Sequence, residues 1–426
     1  MIWNQFVSHL RTLLQRLADS PETAADEVLA AYGREHQRLG SRDRGQLADA
    51  FFAVLRRRDL WVAWVLAHGE PGEPGEGLAL LASQQVGSLT WAEAWGPDQQ
   101  AWLRQAQAAF DGGWGTAAQR LHWPQWLLDA LQSQDVPDLQ GLAQALLVPA
   151  PVDLRVNVQK AKRDKLLSAL QAQDWPVQAT PYSPWGLRLE QRRSLKQTEW
   201  FQAGMLEVQD EGSQLLSALL GAKRGETVVD FCAGAGGKTL ALGAMMRDQG
   251  RLMAMDVSAA RLAAMQPRLK RAGLTSVYSM ALQDERDARL QGWRGKASRV
   301  LVDAPCTGLG TLRRNPELKW RLTPAAVTAY ASRQREILQA AARLVQPGGR
   351  LVYATCSLLQ EENEDIAQAF TAEHRDFRPV DAQEALAPVV KDDAQRNRLC
   401  ANGYLRLWPH VHGTDGFFAA VWQRVD

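Results

Sequence analysis

Residues 227–239 read TVVDFCAGAGGKT, a short apolar run that breaks into a glycine-rich turn and then a helical pattern. Apolar runs without polar alternation belong to strands buried on both faces, as in parallel sheets covered by helices. The texture recurs downstream in Arg251–Val257 (RLMAMDV), Val277–Leu282, Arg299–Asp303 (RVLVD) and Arg350–Thr355 (RLVYAT), each leading into a helical pattern. The spacing predicts an α/β fold with a parallel sheet over 206–426. Ligands in such sheets meet the carboxyl ends of the strands, so chemistry is expected just after each run.

Working back toward the start, 148–205 reads as a small mixed α/β module. Val152–Val158 is expected as a strand, 162–173 as a helix and 186–189 (GLRL) as a second strand. Pro149 and Pro151 end the helical texture before it. Residues 1–147 read as an all-α domain. Trp3, Phe6, Val7, Leu10, Leu13, Leu14 and Leu17 share one helix face, Ser20-Pro21-Glu22 reads as a helix restart, and Leu47, Phe51, Phe52, Val54 and Leu55 mark a further apolar face. Twelve of the 16 tryptophans precede residue 201. For Trp61, Trp64, Trp91, Trp95, Trp102, Trp123 and Trp126 the helical spacing favours core packing over a base-stacking surface.

The 426 residues carry 49 Lys plus Arg against 47 Asp plus Glu, which excludes both a polybasic tail and an acidic disordered chain. The balance is uneven: 1–150 has 11 basic and 17 acidic side chains, whereas 151–426 has 38 and 30, so a polyanion is expected to meet the second part. Four cysteines without a Cys-x-x-Cys pair spell neither a disulfide scaffold nor a zinc site, and no metal is expected. No apolar run reaches the roughly 18 residues of a membrane span, and the start lacks a cleavable leader pattern. Reduced thiols, a cytoplasmic location and no membrane partner are expected.

The turn Cys232-Ala233-Gly234-Ala235-Gly236-Gly237-Lys238-Thr239 admits three readings. A phosphate-binding G-x-x-x-x-G-K-T loop needs glycine where Cys232 stands, and a dinucleotide fingerprint starting at Gly234 needs glycine where Thr239 stands. There remains a close backbone approach to another nucleoside-bearing ligand. Asp256 ends the next strand, where a carboxylate takes both ribose hydroxyls, and the two together fit an adenosine without a pyrophosphate. The fourth strand exits into Asp303-Ala304-Pro305-Cys306 and the fifth into Ala354-Thr355-Cys356-Ser357. Two of only four cysteines thus leave neighbouring strands on the ligand edge, with Thr307 and Ser357 directly after them.

DFCAGAGGKT, the strand-end Asp256, VDAPCTGLGTLRRNPELKW and YATCSLLQEENED together resemble the successive motifs of the RNA (cytosine-5) methyltransferases of the NOP2/Sun family. The resemblance is strongest to the bacterial 16S ribosomal RNA type with a NusB-like N-terminal domain, which RLGSRDRGQLADAFFAVLRR at 38–57 resembles. It implies a class I, Rossmann-like methyltransferase domain, S-adenosyl-L-methionine as cofactor, and RNA as partner of a monomeric enzyme. Cys232, Ala233, Gly234, Ala235, Gly236, Gly237, Lys238, Asp256 and Asp303 are implied to bind the cofactor. The adenine-contacting carboxylate is Asp284 or Asp287. The resemblance makes Cys356 the nucleophile, Cys306 the group assisting product release, and Asp303 with Lys238 the holders of the cytosine edge. Arg261 is a further candidate cofactor contact. Carbon 5 of cytosine is a poor nucleophile, and a thiolate adding to carbon 6 turns the ring into an enamine able to take a methyl group. The target base must leave its stack, so single-stranded or loop RNA is expected. Arg313, Arg314, Lys319 and Arg321 read as phosphate contacts beside the chemistry. A transfer RNA substrate, or an RNA-binding scaffold with an inactive methyltransferase fold, are the alternatives. An amino-methylating enzyme is disfavoured, because its Asn/Asp-Pro-Pro-aromatic motif is replaced here by Asp303-Ala304-Pro305-Cys306.

Overall fold

The computed structural model describes residues 1–86, 94–191 and 193–425, and Trp91 lies outside them. It falls into two compact units: Met1–Pro149 with Thr311–Thr323, and Ala150–Gly310 with Pro324–Asp426.

The first unit is helical. Trp3–Asp19 buries Trp3, Phe6, Val7, Leu10, Leu13 and Leu17 on the face that the three- and four-residue spacing marks out. Ser41–His68 carries Leu47, Phe51, Val54, Leu55, Leu60, Trp61 and Trp64 into the same core. The tryptophans pack as core residues do: Trp64 meets Trp114 edge-on at 5.1 Å and Trp102 at 6.3 Å. Ser20-Pro21-Glu22 does not start a helix. The second helix runs Ala25–Glu35, and the Glu317 Oε1 carboxylate oxygen accepts from the Ala25 N–H at 3.0 Å. That long-range acceptor satisfies an amide of the helix start, which is why a reading of local capping residues misplaced the helix start.

The segment Thr311–Thr323 is built into this unit, and two of the four cations expected to face phosphate, Lys319 and Arg321, donate to backbone carbonyls there. Lys319 is buried, its Nζ donating to the Arg56 and His122 carbonyls at 2.7 Å each. Burial pushes its pKa down to about 7. Arg321 Nη2 donates to Thr23 O at 2.5 Å, Trp320 Nε1 to Leu55 O at 2.9 Å, and Arg56 Nη2 to Arg313 O at 3.1 Å.

The second unit contains two sheets. The smaller consists of β1 (Val152–Val156), β2 (Val177–Ala179), β3 (Gly186–Leu189) and β4 (Leu206–Val208) in the order β2-β3-β1-β4, with helix Arg163–Gln171 packed on it. The larger holds β5 (Thr227–Asp230), β6 (Arg251–Asp256), β7 (Val277–Ala281), β8 (Ala297–Asp303) and β9 (Val345–Thr355), parallel in the order β9-β8-β5-β6-β7. The five runs expected to form a parallel sheet do so, and the sheet continues past them with antiparallel strands that the sequence reading had not named. β13 (Phe417–Arg424) lies antiparallel on β9, followed by β12 (Tyr404–Leu407) and β11 (Cys400–Ala401), with β10 (Phe377–Val380) also paired to β13. The reason is compositional: FFAAVWQR is buried along six consecutive residues, so it enters the core as a long strand without an α/β crossover before it. Cys400 sits on β11 in this core, where burial raises its pKa to about 12 and leaves it inert as a thiol.

Among the described residues no helix is long and apolar enough to cross a membrane. None of them form a group of three or more His, Cys, Asp or Glu able to hold a metal ion.

Candidate active site

The β5 exit is built for close approach. Gly234 and Gly236 take φ of +54° and +86°, and a Cβ on them would stand 2.4 Å from Arg261 Nη2 and 2.3 Å from Met265 Sδ. Both positions favour glycine for their positive φ, and at Gly236 the buried Met265 side chain, with its Cβ at 3.3 Å, leaves little room as well. Asp256, at the end of β6, braces the loop: its Oδ2 accepts from Gly234 N at 2.7 Å and its Oδ1 from Ser258 N at 2.8 Å. Arg261 stands 4.0 Å from the Asp256 carboxylate, mostly exposed. Asp230 lies under the loop, fully buried. Burial pushes its pKa up to about 7, against the Thr239 hydroxyl that donates to it at 2.6 Å. Cys232 packs on the core beside the loop, and burial raises its thiol pKa well above normal.

After β7, the two candidate carboxylates differ sharply. Asp287 caps the 3-10 turn Ala288–Trp293, its oxygens taken by Gln283 N at 2.9 Å, Arg289 N at 3.0 Å and the Arg289 guanidinium at 2.6 Å. Arg289 holds its pKa far below the usual carboxylate range. Asp284 is exposed and accepts from Arg286 N at 2.7 Å, leaving its second oxygen to the solvent edge.

Lys238 enters from the first turn of helix Gly237–Met245, and its Nζ donates to Asp303 Oδ2 at 2.5 Å. Burial opposes the ammonium charge, but the Asp303 carboxylate more than offsets it, with Cys356 and Asp230 adding to the effect, so the Lys238 pKa is raised. Placing a lysine against the positive end of a helix is unfavourable on its own, and the ion pair supplies the compensation.

β8 and β9 are neighbours with Asp303 opposite Ala354 in register, so the segments beyond them run side by side. That register brings Cys306 Sγ to 3.4 Å from Cys356 Sγ. The Cys306 pKa is raised well above its ordinary value, first by its hydrogen bond to Cys356, then by burial and by the charges of Cys356 and Glu362. Gly310 N donates to Cys356 O at 2.8 Å, and Gly310 leaves no room for a Cβ, which would fall 2.1 Å from Gly416 O.

Beneath the thiols lies a polar group that attention to strand exits alone passes over. Glu362, fully buried, follows the second cysteine by six residues in the run SLLQEEN, which reads as solvated polar sequence. Its Oε1 accepts from Thr307 N and Gln334 Nε2, both at 2.9 Å, and its Oε2 from the Thr307 hydroxyl at 2.5 Å and from the Ser357 hydroxyl. A buried acid in a helical turn directly after Thr-Cys-Ser is the signal that was available.

A glycine-braced loop with a strand-end carboxylate, beside a Lys–Asp pair and two adjacent thiols on a mostly parallel sheet, defines a Rossmann-like methyltransferase-type site. The family description for 16S rRNA methyltransferase RsmB/F matches residues 217–423, and that for the RsmF/B-like ferredoxin-like domain matches 123–196. The ribosomal RNA small subunit methyltransferase B of Vibrio cholerae is 32% identical over 362 residues, covering 83% of this chain and 76% of that protein. A probable ribosomal RNA small subunit methyltransferase B from Bacillus subtilis is 33% identical over 301 residues, covering 69% of this chain. The alignments span 65% and 66% of the lengths of the Bacillus subtilis and Synechocystis relatives. Among solved structures, PH0851 superposes with a TM-score of 0.75 at 24% identity over 98% of each chain. A methyltransferase homologue from Pyrococcus horikoshii does so with 0.59 at 27% identity, over 72% of this chain and 97% of that one. The chain belongs to the RsmB/F family of 16S ribosomal RNA methyltransferases.

Proposed function

We propose that this protein methylates carbon 5 of a cytosine in 16S ribosomal RNA through a covalent bond between Cys356 and carbon 6. The observation that carries the reading is the pair of thiols 3.4 Å apart at the exits of adjacent strands, next to the Lys238–Asp303 ion pair.

S-adenosyl-L-methionine, when bound, supplies an electrophilic methyl group. The residues present fit it: the positive-φ glycines bring loop backbone within reach of a ligand, and each Asp256 oxygen keeps a lone pair beyond the loop amide it accepts from. Asp284 is the carboxylate left for the adenine, since Asp287 is consumed by its own turn and Arg289.

Cys356 Sγ adds to carbon 6, and the ring electron pair displaced onto carbon 5 takes the methyl group. Asp303 accepts from the exocyclic amine, and Lys238 offers positive charge to the ring as the sulfur's electrons enter it. Cys306 begins as a neutral thiol whose proton is held by the neighbouring sulfur and its charge. Once Cys356 is bonded to carbon, its hydrogen bond and charge no longer hold that proton, which only burial and the Glu362 charge still favour, and Cys306 can release it to solvent. Its thiolate then takes the proton from carbon 5, the Cys356–carbon 6 bond breaks, and the thiolate of Cys356 returns. The substrate is a cytosine lifted from single-stranded or loop RNA.

The test is methyl transfer from labelled cofactor to unmodified 16S RNA, mapped by bisulfite sequencing. Cys356→Ala is expected to abolish transfer, and Cys306→Ala to accumulate a protein–RNA adduct that survives denaturant. Full activity of Cys356→Ala, or methylation at a position other than carbon 5, overturns the reading.

A further inference from the structure

Cys306 and Cys356 sit on separate segments beyond β8 and β9, and neither segment is regular at the cysteine. Something must hold two sulfurs at 3.4 Å, because a displacement of about 1 Å in a reacting group costs on the order of a hundredfold in rate. The residues that follow the cysteines, Thr307 and Ser357, turn their hydroxyls inward and meet at 3.1 Å. Both bond the same carboxylate oxygen of Glu362. The other oxygen takes the Thr307 backbone N–H and Gln334 Nε2, and Gln334 also donates to the carbonyl of Pro305 at 3.0 Å.

Glu362 is itself fixed from behind. Its backbone carbonyl accepts from Tyr353 Oη at 2.6 Å, so the turn that carries it is tied to β9. Next to it, Asn363 Oδ1 accepts from the Thr355 hydroxyl at 2.5 Å and its amide donates to Ser357 O at 3.1 Å, which brackets Cys356 on both sides. Glu362, Asn363, Thr355, Ser357, Thr307 and Gln334 are all essentially inaccessible to solvent. A buried carboxylate is costly unless its lone pairs are met, and these are met by donors from the segment after Cys306, the segment after Cys356 and helix Pro324–Ala342.

We propose that Glu362 is a positioning residue that clamps the two cysteine segments to each other and so sets the distance and alignment of the two thiols. It touches neither substrate nor cofactor. Its role in methyl transfer rests on the cytosine-5 reading above, whereas the clamp itself is a property of the free protein.

The experiment measures Glu362→Ala, Glu362→Gln and Thr307→Val in the full chain. Methyl transfer is read as kcat and KM, and iodoacetamide alkylation of Cys306 and Cys356 is followed by peptide mass spectrometry across pH without RNA. Glu362→Ala loses all four acceptances and is expected to lower kcat about a hundredfold with KM for the cofactor within about twofold. Glu362→Gln keeps a carbonyl for two of the donors and lets the hydroxyls rotate to accept from its amide, and is expected to recover activity to within about tenfold of the native protein. In Thr307→Val, which keeps the Glu362 charge but loses a tie of the clamp, the pH at which Cys306 alkylates moves down, because the sulfur that holds its proton is no longer kept at 3.4 Å. If Glu362→Ala does not fold, the Thr307→Val variant carries the test, with an expected loss of about tenfold in kcat. Native kcat and native alkylation profiles in Glu362→Gln and Thr307→Val overturn the clamp. So does a loss of kcat that only parallels loss of cofactor binding, with no rescue by glutamine. Should the native protein produce no 5-methylcytosine, the functional reading fails while the alkylation profiles still decide the clamp.

Discussion

Lys238 and Asp303 form an ion pair, proposed above to handle the cytosine ring, and a double-mutant cycle measures it. The perturbations are Lys238→Met, Asp303→Asn and the two combined. A hydrogen bond to a charged group contributes about 1.5–3 kcal/mol. The lysine side chain is 10% exposed but the aspartate 31%, so solvent screens one partner and the lower half of that range applies. A coupling energy of about 1.5–2 kcal/mol follows, or roughly 10- to 30-fold in kcat/KM. Each single change leaves a charge without its counterion, and the double change leaves none, so the double variant is expected to be little worse than the poorer single. The assay is transfer of a labelled methyl group to unmodified 16S RNA under kcat/KM conditions. Coupling below about 0.5 kcal/mol is the additive limit for independent sites. That result refutes the view that the two residues act as one unit.

Lys319 gives the helical unit a pH dependence of known sign. Its folded pKa lies near 7 and its ordinary value near 10.5, so the unfolded chain holds the extra proton between them and stability rises with pH across that window. From pH 7.5 to 9 the gain is about 1.5–2 kcal/mol, read from urea midpoints by tryptophan fluorescence, and Lys319→Met should remove the slope; a flat native profile contradicts it. At the adenine end, Asp284→Asn is expected to weaken cofactor binding roughly 10- to 100-fold by calorimetry. Asp287→Asn is expected to leave that affinity unchanged while lowering the melting temperature above about pH 4, where the unfolded chain's carboxylate is ionised too and the native contribution is fully present; the opposite pattern would exchange their roles.

Much of the catalytic region was legible because parallel strands announce themselves. Thr227–Asp230, Arg251–Asp256 and Ala297–Asp303 are apolar without alternation, and their exits carry the residues with chemistry. The difference between Asp284 and Asp287 was not legible, since both follow β7, and only the Arg289 contact and the turn geometry, on which the proposal of Asp284 rests, separate them. Glu362 was hidden for a different reason: an acidic run normally faces water, and burial of one member depends on hydroxyls 55 and 5 residues away in the chain. Lys319, one of the cations read at 313–321, misled on the same principle in reverse. Charge in a sequence reads as surface, yet Lys319 is buried by carbonyl acceptors 197 and 263 residues distant.

Thr311–Thr323 completes the helical unit with residues that follow strands β5–β8 of the large sheet, and this imposes an order on synthesis. Glu317, which accepts from the Ala25 amide, is made 292 residues after it. A ribosome adding about 5–20 residues per second delivers that carboxylate roughly 15 to 60 s later. Over that interval the N-terminal helices lack the Glu317 and Lys319 hydrogen bonds that complete their unit. A gene cut after Pro149 would therefore yield two incomplete polypeptides, one short of its buried lysine and the other carrying an ownerless insert.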